Sequence, residues 1–250
     1  MVAPVALVVF ALVLVAGAVP ARDLASPGGP APKVAAPSPA QRAAARYEAV
    51  RRDGAPVAVL KRRVALRAEP RRGARRLARL RLRTRWDSPH VLAVTGRRGT
   101  WLRVIATELP NGRRGWIPMS AADLVANPWS LRADVSSRTV SVFRRGRLVR
   151  RIRVAVGAAA TPTPTGRFAV TDKIRMHARG AYGCCALALS GHQTRISPGW
   201  TGGDRLAIHG TQLVGTIGTA ASFGCMRARD EDVRFLVRHV WLGAVVEIRR

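Results

Sequence analysis

Between residues 57 and 124 the apolar residues fall into short runs separated by turn formers, and this punctuation restricts the fold more than any other feature of the chain. Val91-Leu92-Ala93-Val94 is followed by Gly96 and Gly99, then by Trp101-Leu102-Arg103-Val104-Ile105, by Pro110-Asn111-Gly112, and by Gly115-Trp116-Ile117. An Asn-Gly pair between apolar runs is the strongest short-range hairpin cue, so the segment is read as several short strands forming a small barrel over residues 57–125. Trp101 and Trp116 are expected in its core, where large aromatic rings have most to bury.

The pattern continues beyond Asn127-Pro128-Trp129, which marks the start of a second unit, residues 128–250. Leu131 to Val135, Thr139 to Phe143, Leu148 to Val156, Arg167 to Thr171 and Ala244 to Ile248 read as strands, with Arg145-Gly146 as a turn. The Thr-Pro repeat at 161–165 is a loop, because a proline has no N–H to give a strand ladder. Asp230-Glu231-Asp232 ahead of Val233, Phe235, Leu236, Val237 and Val240 marks a helix with acidic residues at its positive end. The fold class is therefore mainly β.

Ahead of the barrel the composition changes twice. Met1 to Val19 is almost wholly apolar and uncharged, and residues 1–21 are read as a signal peptide or an N-terminal membrane anchor, with Ala16-Gly17-Ala18 or Val19-Pro20-Ala21 as cleavage sites. Residues 22–56 read as a Pro/Ala-rich linker, extended where the prolines cluster. Gln41 to Arg52, rich in alanine, is expected to form a short helix ending at Asp53-Gly54. The net charge of +29, from 43 basic and 14 acidic residues, predicts attraction to polyanions. No zinc-finger spacing, aromatic RNA-binding signature or basic heptad helix accompanies it, so nucleic acid is not the expected partner. For an exported chain the natural polyanions are wall polymers and phospholipid head groups.

Chemistry concentrates in Ile208 to Arg227, IHGTQLVGTIGTAASFGCMR. Leu206-Ala207-Ile208 reads as a strand delivering His209 at its end, and a glycine-containing loop brings the chain back to Cys225. A thiol with a pKa of about 8.5 is only slightly ionised at neutral pH, so an adjacent imidazole is its usual activator. The amides around Gly224 and Cys225 are candidates to bind an oxyanion. Of the three cysteines, the adjacent Cys184 and Cys185 are not expected to pair, because consecutive Cα atoms lie closer than the usual disulfide range. Three Cys with His209 or His192 have no CxxC spacing to suggest zinc, and no cofactor is indicated.

The order HGT, then glycine, then SxGCxR resembles the L,D-transpeptidase catalytic domain (YkuD-like) family. Upstream, Thr161 to Phe168 resembles that family's TPTPxGxF segment, and Ala181-Tyr182-Gly183 its AYG. The ending of the first unit, WLRV to LPNGRRGWIP, resembles bacterial SH3-like domains. These resemblances imply a small SH3-like β-barrel followed by a β-sandwich with one or two short helices. They further imply peptidoglycan stem peptides as substrate, Cys225 as nucleophile and His209 as general base. Ser222, Phe223, Gly224, Gly210, Thr211, Arg227 and Tyr182 would surround the reacting carbonyl. Many members carry a second His where this chain has Phe223. The implied reaction joins the third residues of two stem peptides in wall biogenesis; with water as acceptor the same site is an L,D-carboxypeptidase, and a non-catalytic wall-binding protein is the alternative of another class.

Overall fold

The structure, a computed structural model, describes residues 36–176, 180–196, 199 and 201–250. The expected leader, the first part of the linker and any membrane contact through them lie outside the described residues. Among the described residues no helix is long and apolar enough to cross a membrane.

The described chain opens with helix α1 (Pro39–Asp53). Ser38 Oγ accepts a hydrogen bond from the Gln41 amide at 3.2 Å while Gln41 Oε1 accepts one from the Ser38 amide at 2.7 Å. This reciprocal pair satisfies two amides that the first helical turn leaves without partners. The helix buries Ala43 and Tyr47 in the same cluster as Leu66, Leu80, Leu102 and Ile117. The residues expected to end a linker at 56 thus pack on the first sheet.

That sheet comprises β1 (Ala55–Leu60), β2 (Val64–Arg67), β3 (Arg76–Leu80), β4 (Val91–Arg98), β5 (Trp101–Val104), β6 (Gly115–Pro118) and β7 (Ala122–Asn127), ordered β3-β2-β6-β5-β4-β1-β7. All of its pairings are antiparallel. The Asn111-Gly112 turn joins β5 to β6 as the hairpin cue predicts, with Gly112 at φ 80°. Trp101 and Trp116 depart from expectation: both are half-buried and stand outside the core cluster. Their strands turn Leu102 and Ile117 inward instead, and a period of two sends the neighbouring rings to the other face.

The second sheet contains β8 (Trp129–Asp134), β9 (Thr139–Arg144), β10 (Arg147–Arg153), β12 (Gly166–Arg175), β13 (Cys185–His192), β14 (Arg205–His209), β16 (Met226–Arg227) and β17 (Val245–Arg249). Its order is β10-β9-β8-β17-β12-β13-β14-β16, with β17 parallel to β8 and β14 parallel to β16. Short β11 (Val156–Gly157) and β15 (Ala220–Ser222) form a separate parallel pair. Helix α2 (Asp230–His239) follows Cys225 as expected and buries Val233 and Leu236 in the core with Leu187, Leu189, Ile208 and Val246. Each fully buried aliphatic side chain contributes about 1.5–3 kcal/mol by leaving water. A small cluster of Ala93 and Ile105 with Ala169 joins the two sheets.

Candidate active site

Cys225 directly precedes β16 and His209 ends β14; β16 is only two residues long and pairs in parallel with the last two residues of β14, so Cys225 comes close to His209. The parallel register sets Ile208 against Met226 and His209 against Arg227, so Cys225 falls two residues before the position level with the imidazole's residue. Met226 and Ile208 are fully buried and fix that register, since a slip of one residue would turn them out of the core. A cavity of about 140 Å³ is lined by Cys225, His209, Tyr182, Ser222, Phe223 and Arg227. The structure thus gathers six of the nine residues expected at the site. Gly210, Thr211 and Gly224 are not in the lining; Gly210 and Gly224 act on the site through their backbones.

His209 is buried, and its Nδ1 lies 2.6 Å from the Gly210 carbonyl oxygen. A carbonyl only accepts, so Nδ1 carries the proton and Nε2 keeps the lone pair. Burial lowers the imidazole's pKa to about 4, with the Gly210 bond opposing and the Arg227 charge adding to the fall. The Tyr182 ring meets the imidazole edge-on, centroids 4.7 Å apart, and burial pushes the tyrosine hydroxyl up from its ordinary value. Burial likewise pushes the Cys225 thiol up, against a hydrogen bond with the Ala207 backbone and the Arg227 charge. The thiol points at the Arg205 carbonyl, 3.7 Å away. At neutral pH the pair rests as neutral thiol and neutral imidazole, with base strength available on Nε2.

The turn carrying the thiol is held from within and from outside. Ser222 Oγ donates to the Cys225 carbonyl at 2.5 Å and accepts from the Gly224 amide at 3.1 Å. Gly224 has φ 114°, and a Cβ there would lie 1.9 Å from Gln193 Nε2, so glycine is required on both counts. The Thr-Pro loop grips the same turn: Thr161 Oγ1 donates to the Ser222 carbonyl at 3.1 Å and Thr163 Oγ1 to the Gly224 carbonyl at 2.8 Å. Gln193 Nε2 donates to the Phe223 carbonyl at 2.9 Å and to the Thr161 carbonyl at 3.2 Å, tying loop and turn together.

Several of these residues escape sequence reasoning. Thr161 and Thr163 sit in a noticed motif, but nothing along the chain says which carbonyls they hold. Gln193, Arg195, Ile196, Asp204 and Arg205 also line the cavity.

The expectation that Cys184 and Cys185 remain unpaired is overturned: they form a disulfide, with Cα atoms 3.8 Å apart. The Cα spacing is the short one expected of neighbours and the bond forms all the same, with Cys184 in the turn through Gly183 at φ 60° and Cys185 opening β13. The Cys184 amide is held there by Asp230 Oδ2 at 3.1 Å. Cys225 is the free cysteine. No group of three His, Cys, Asp or Glu side chains suited to a metal occurs among the described residues.

The class the fold and the cavity define is a mainly β protein in which a free thiol and a buried imidazole line one cavity. More particularly, the chain belongs to the YkuD family: the L,D-transpeptidase catalytic domain matches residues 128–248. Over 121 residues it is 31% identical to the Bacillus licheniformis protein named "Putative L,D-transpeptidase YkuD", spanning 48% of this chain and 66% of that one. The Bacillus subtilis protein of the same name is 30% identical over 123 residues, 49% of this chain and 67% of that one. The chain thus spans about two thirds of the length of these curated relatives. Among solved structures, an L,D-transpeptidase from Mycobacterium smegmatis is 17% identical with a TM-score of 0.40, over 55% of this chain and 73% of that chain. One from Mycobacterium tuberculosis H37Rv is 18% identical with a TM-score of 0.42, over 57% and 67% respectively.

Proposed function

We propose that this protein is a peptidoglycan L,D-transpeptidase working through a Cys225 thioester, with the first sheet as its SH3-like module. The observation that carries the reading is that Cys225 and His209 line one cavity from adjacent parallel strands. In the proposed reaction the Cys225 sulfur attacks the carbonyl carbon of the third stem residue while its proton passes to His209 Nε2. The oxyanion that forms needs a backbone donor. Since the Gly224 amide is taken by Ser222 Oγ, that role falls to the Cys225 amide. Collapse breaks the peptide bond to the terminal residue, whose amine leaves with the proton from His209. An amine of a second stem then attacks the thioester, forms the new amide and releases the thiol.

Arg227 supplies fixed positive charge beside both reacting groups and favours the thiolate over the imidazolium. The exposed Phe223 ring at the cavity stands where other members carry a second His. It offers an apolar surface to the bound peptide.

The test is to expose the purified protein to a carbapenem and map the adduct by mass, then to supply donor and acceptor stem peptides. An adduct on Cys225 and a cross-linked product support the reading. Release of the terminal residue without cross-linking makes the protein a carboxypeptidase. No adduct and no turnover by the wild type would refute the enzyme.

A further inference from the structure

The wall of the cavity facing the Cys225 turn is formed where β13 leads into β14, and the first sheet holds both ends of that connection. At one end is His192, the last residue of β13. Asn111, in the β5–β6 turn, pairs with its backbone in both directions: Asn111 Nδ2 donates to the His192 carbonyl at 2.6 Å, and the His192 amide donates to Asn111 Oδ1 at 2.8 Å. A side-chain amide thereby pairs with the β13 backbone beyond Leu189, where the ladder with β12 has ended. The His192 ring bridges onward, Nε2 lying 2.7 Å from the Thr107 carbonyl and Nδ1 2.8 Å from Asp204 Oδ2.

At the other end is Arg205, the first residue of β14. Its guanidinium lies 5.0 Å from the ring centroid of Trp86, which belongs to the loop between β3 and β4. The same guanidinium donates to the Leu189 carbonyl at 2.7 Å and to Thr171 Oγ1 at 2.8 Å. The Arg205 carbonyl is the acceptor at which the Cys225 thiol points. Between the two ends the Gln193 amide donates to the Asp204 carbonyl at 2.5 Å, and the Gln193 side chain reaches the Phe223 carbonyl of the nucleophile turn. Contacts from Asn111 and Trp86 thus lead through His192 and Arg205 toward Cys225.

We propose that the first sheet positions the cleft: Asn111 and Trp86 are positioning residues that hold His192 and Arg205, and through them the substrate-facing wall and the rest position of the Cys225 thiol. The inference rests on the reading of Cys225 as nucleophile, and it makes the first sheet a structural part of the site. Misplacement of a reacting group by 1 Å can cost about 100-fold in rate, so a grip at this distance from the chemistry is enough to govern turnover.

The full chain is compared as wild type, Asn111→Ala, Trp86→Ala and Trp86→Phe. Two readouts are taken: hydrogen exchange in peptides containing Gln193 and Arg205, and kcat and KM for a stem peptide. Exchange in those peptides should rise at least about fivefold in Asn111→Ala and Trp86→Ala, with exchange in β8 and β9 unchanged. kcat/KM should fall by about tenfold or more in both, with Trp86→Phe, which keeps a ring under Arg205, restoring most of it. Unchanged exchange and turnover would overturn the proposal. So would a uniform rise across both sheets, which would mean general loss of stability. If the wild type turns over no stem peptide while the local exchange response appears, the enzymatic reading fails and the positioning of the wall stands.

Discussion

His209 and Arg227 stand opposite each other in the parallel register of β14 and β16. A buried imidazole is thereby set beside a guanidinium. Burial first, and the Arg227 charge after it, hold His209 at about 4. The base of the proposed reaction is therefore unprotonated well below the pH at which an exposed histidine would be lost.

The acid limb of Cys225 acylation by a carbapenem should accordingly fall near pH 4 and not near 6.5, the ordinary value. Arg227→Gln removes a contribution that lowers the imidazole and should move the midpoint upward. A wild-type midpoint at or above 6.5 in the second-order acylation constant would contradict this.

The same shift has a consequence for folding. The folded value of about 4 lies below the ordinary 6.5, so between these limits the unfolded chain binds more protons at this residue. The contribution is complete above pH 6.5 and drains as pH falls through 4, on the order of 3 kcal/mol in all. In urea titrations from pH 7 to 4, His209→Gln should lose stability less steeply than the wild type. Parallel slopes would sink the assignment.

Thr163→Val tests the grip of the Thr-Pro loop. The hydroxyl accepts from the Gly157 amide at 2.8 Å and donates to the Gly224 carbonyl at 2.8 Å. Valine keeps the shape and leaves both groups unpaired, a cost of about 1–3 kcal/mol for each group. Carbapenem acylation should slow as the nucleophile turn loosens. A variant as stable and as reactive as the wild type would show the loop to be a bystander.

Gly183→Ala and Gly146→Ala separate backbone strain from contact. Both glycines have positive φ, 60° and 77°, where a Cβ costs roughly 1–2 kcal/mol. At Gly146 nothing lies within 4 Å of the added atom, whereas at Gly183 it would meet Asp230 Oδ1 at 2.2 Å and the Gly210 carbonyl carbon at 2.6 Å. Gly183→Ala should therefore lower the melting temperature further and impair acylation as well, because Gly210 holds the His209 ring. Equal effects in the two variants would remove Gly183 from the support of the site.

Much of the fold was legible because its signals are local. The Asn111-Gly112 turn, the acidic start of α2 and the proline exclusion at 161–165 each act through neighbours along the chain, and all appear where expected. Where the reading failed, a general rule met a local exception. Trp101 and Trp116 took the outer face because their strands' alternation assigned Leu102 and Ile117 to the core. The cysteine pair closes where the turn through Gly183 meets the start of β13, although its Cα atoms are as close as neighbours must be.

The sequence by itself determined the strand-forming segments, the turns between them, and the order of His209 and Cys225 around their glycines, since each depends on side-chain chemistry and spacing within a few residues. Only the tertiary structure decided which groups surround that pair. The depressed imidazole comes from burial among segments far apart in the chain. The wall from Gln193 to Arg205 is set by Asn111 and Trp86, more than 80 positions upstream of the residues they hold. Those contacts exist only once two sheets have packed, and no pattern within either sheet encodes them alone.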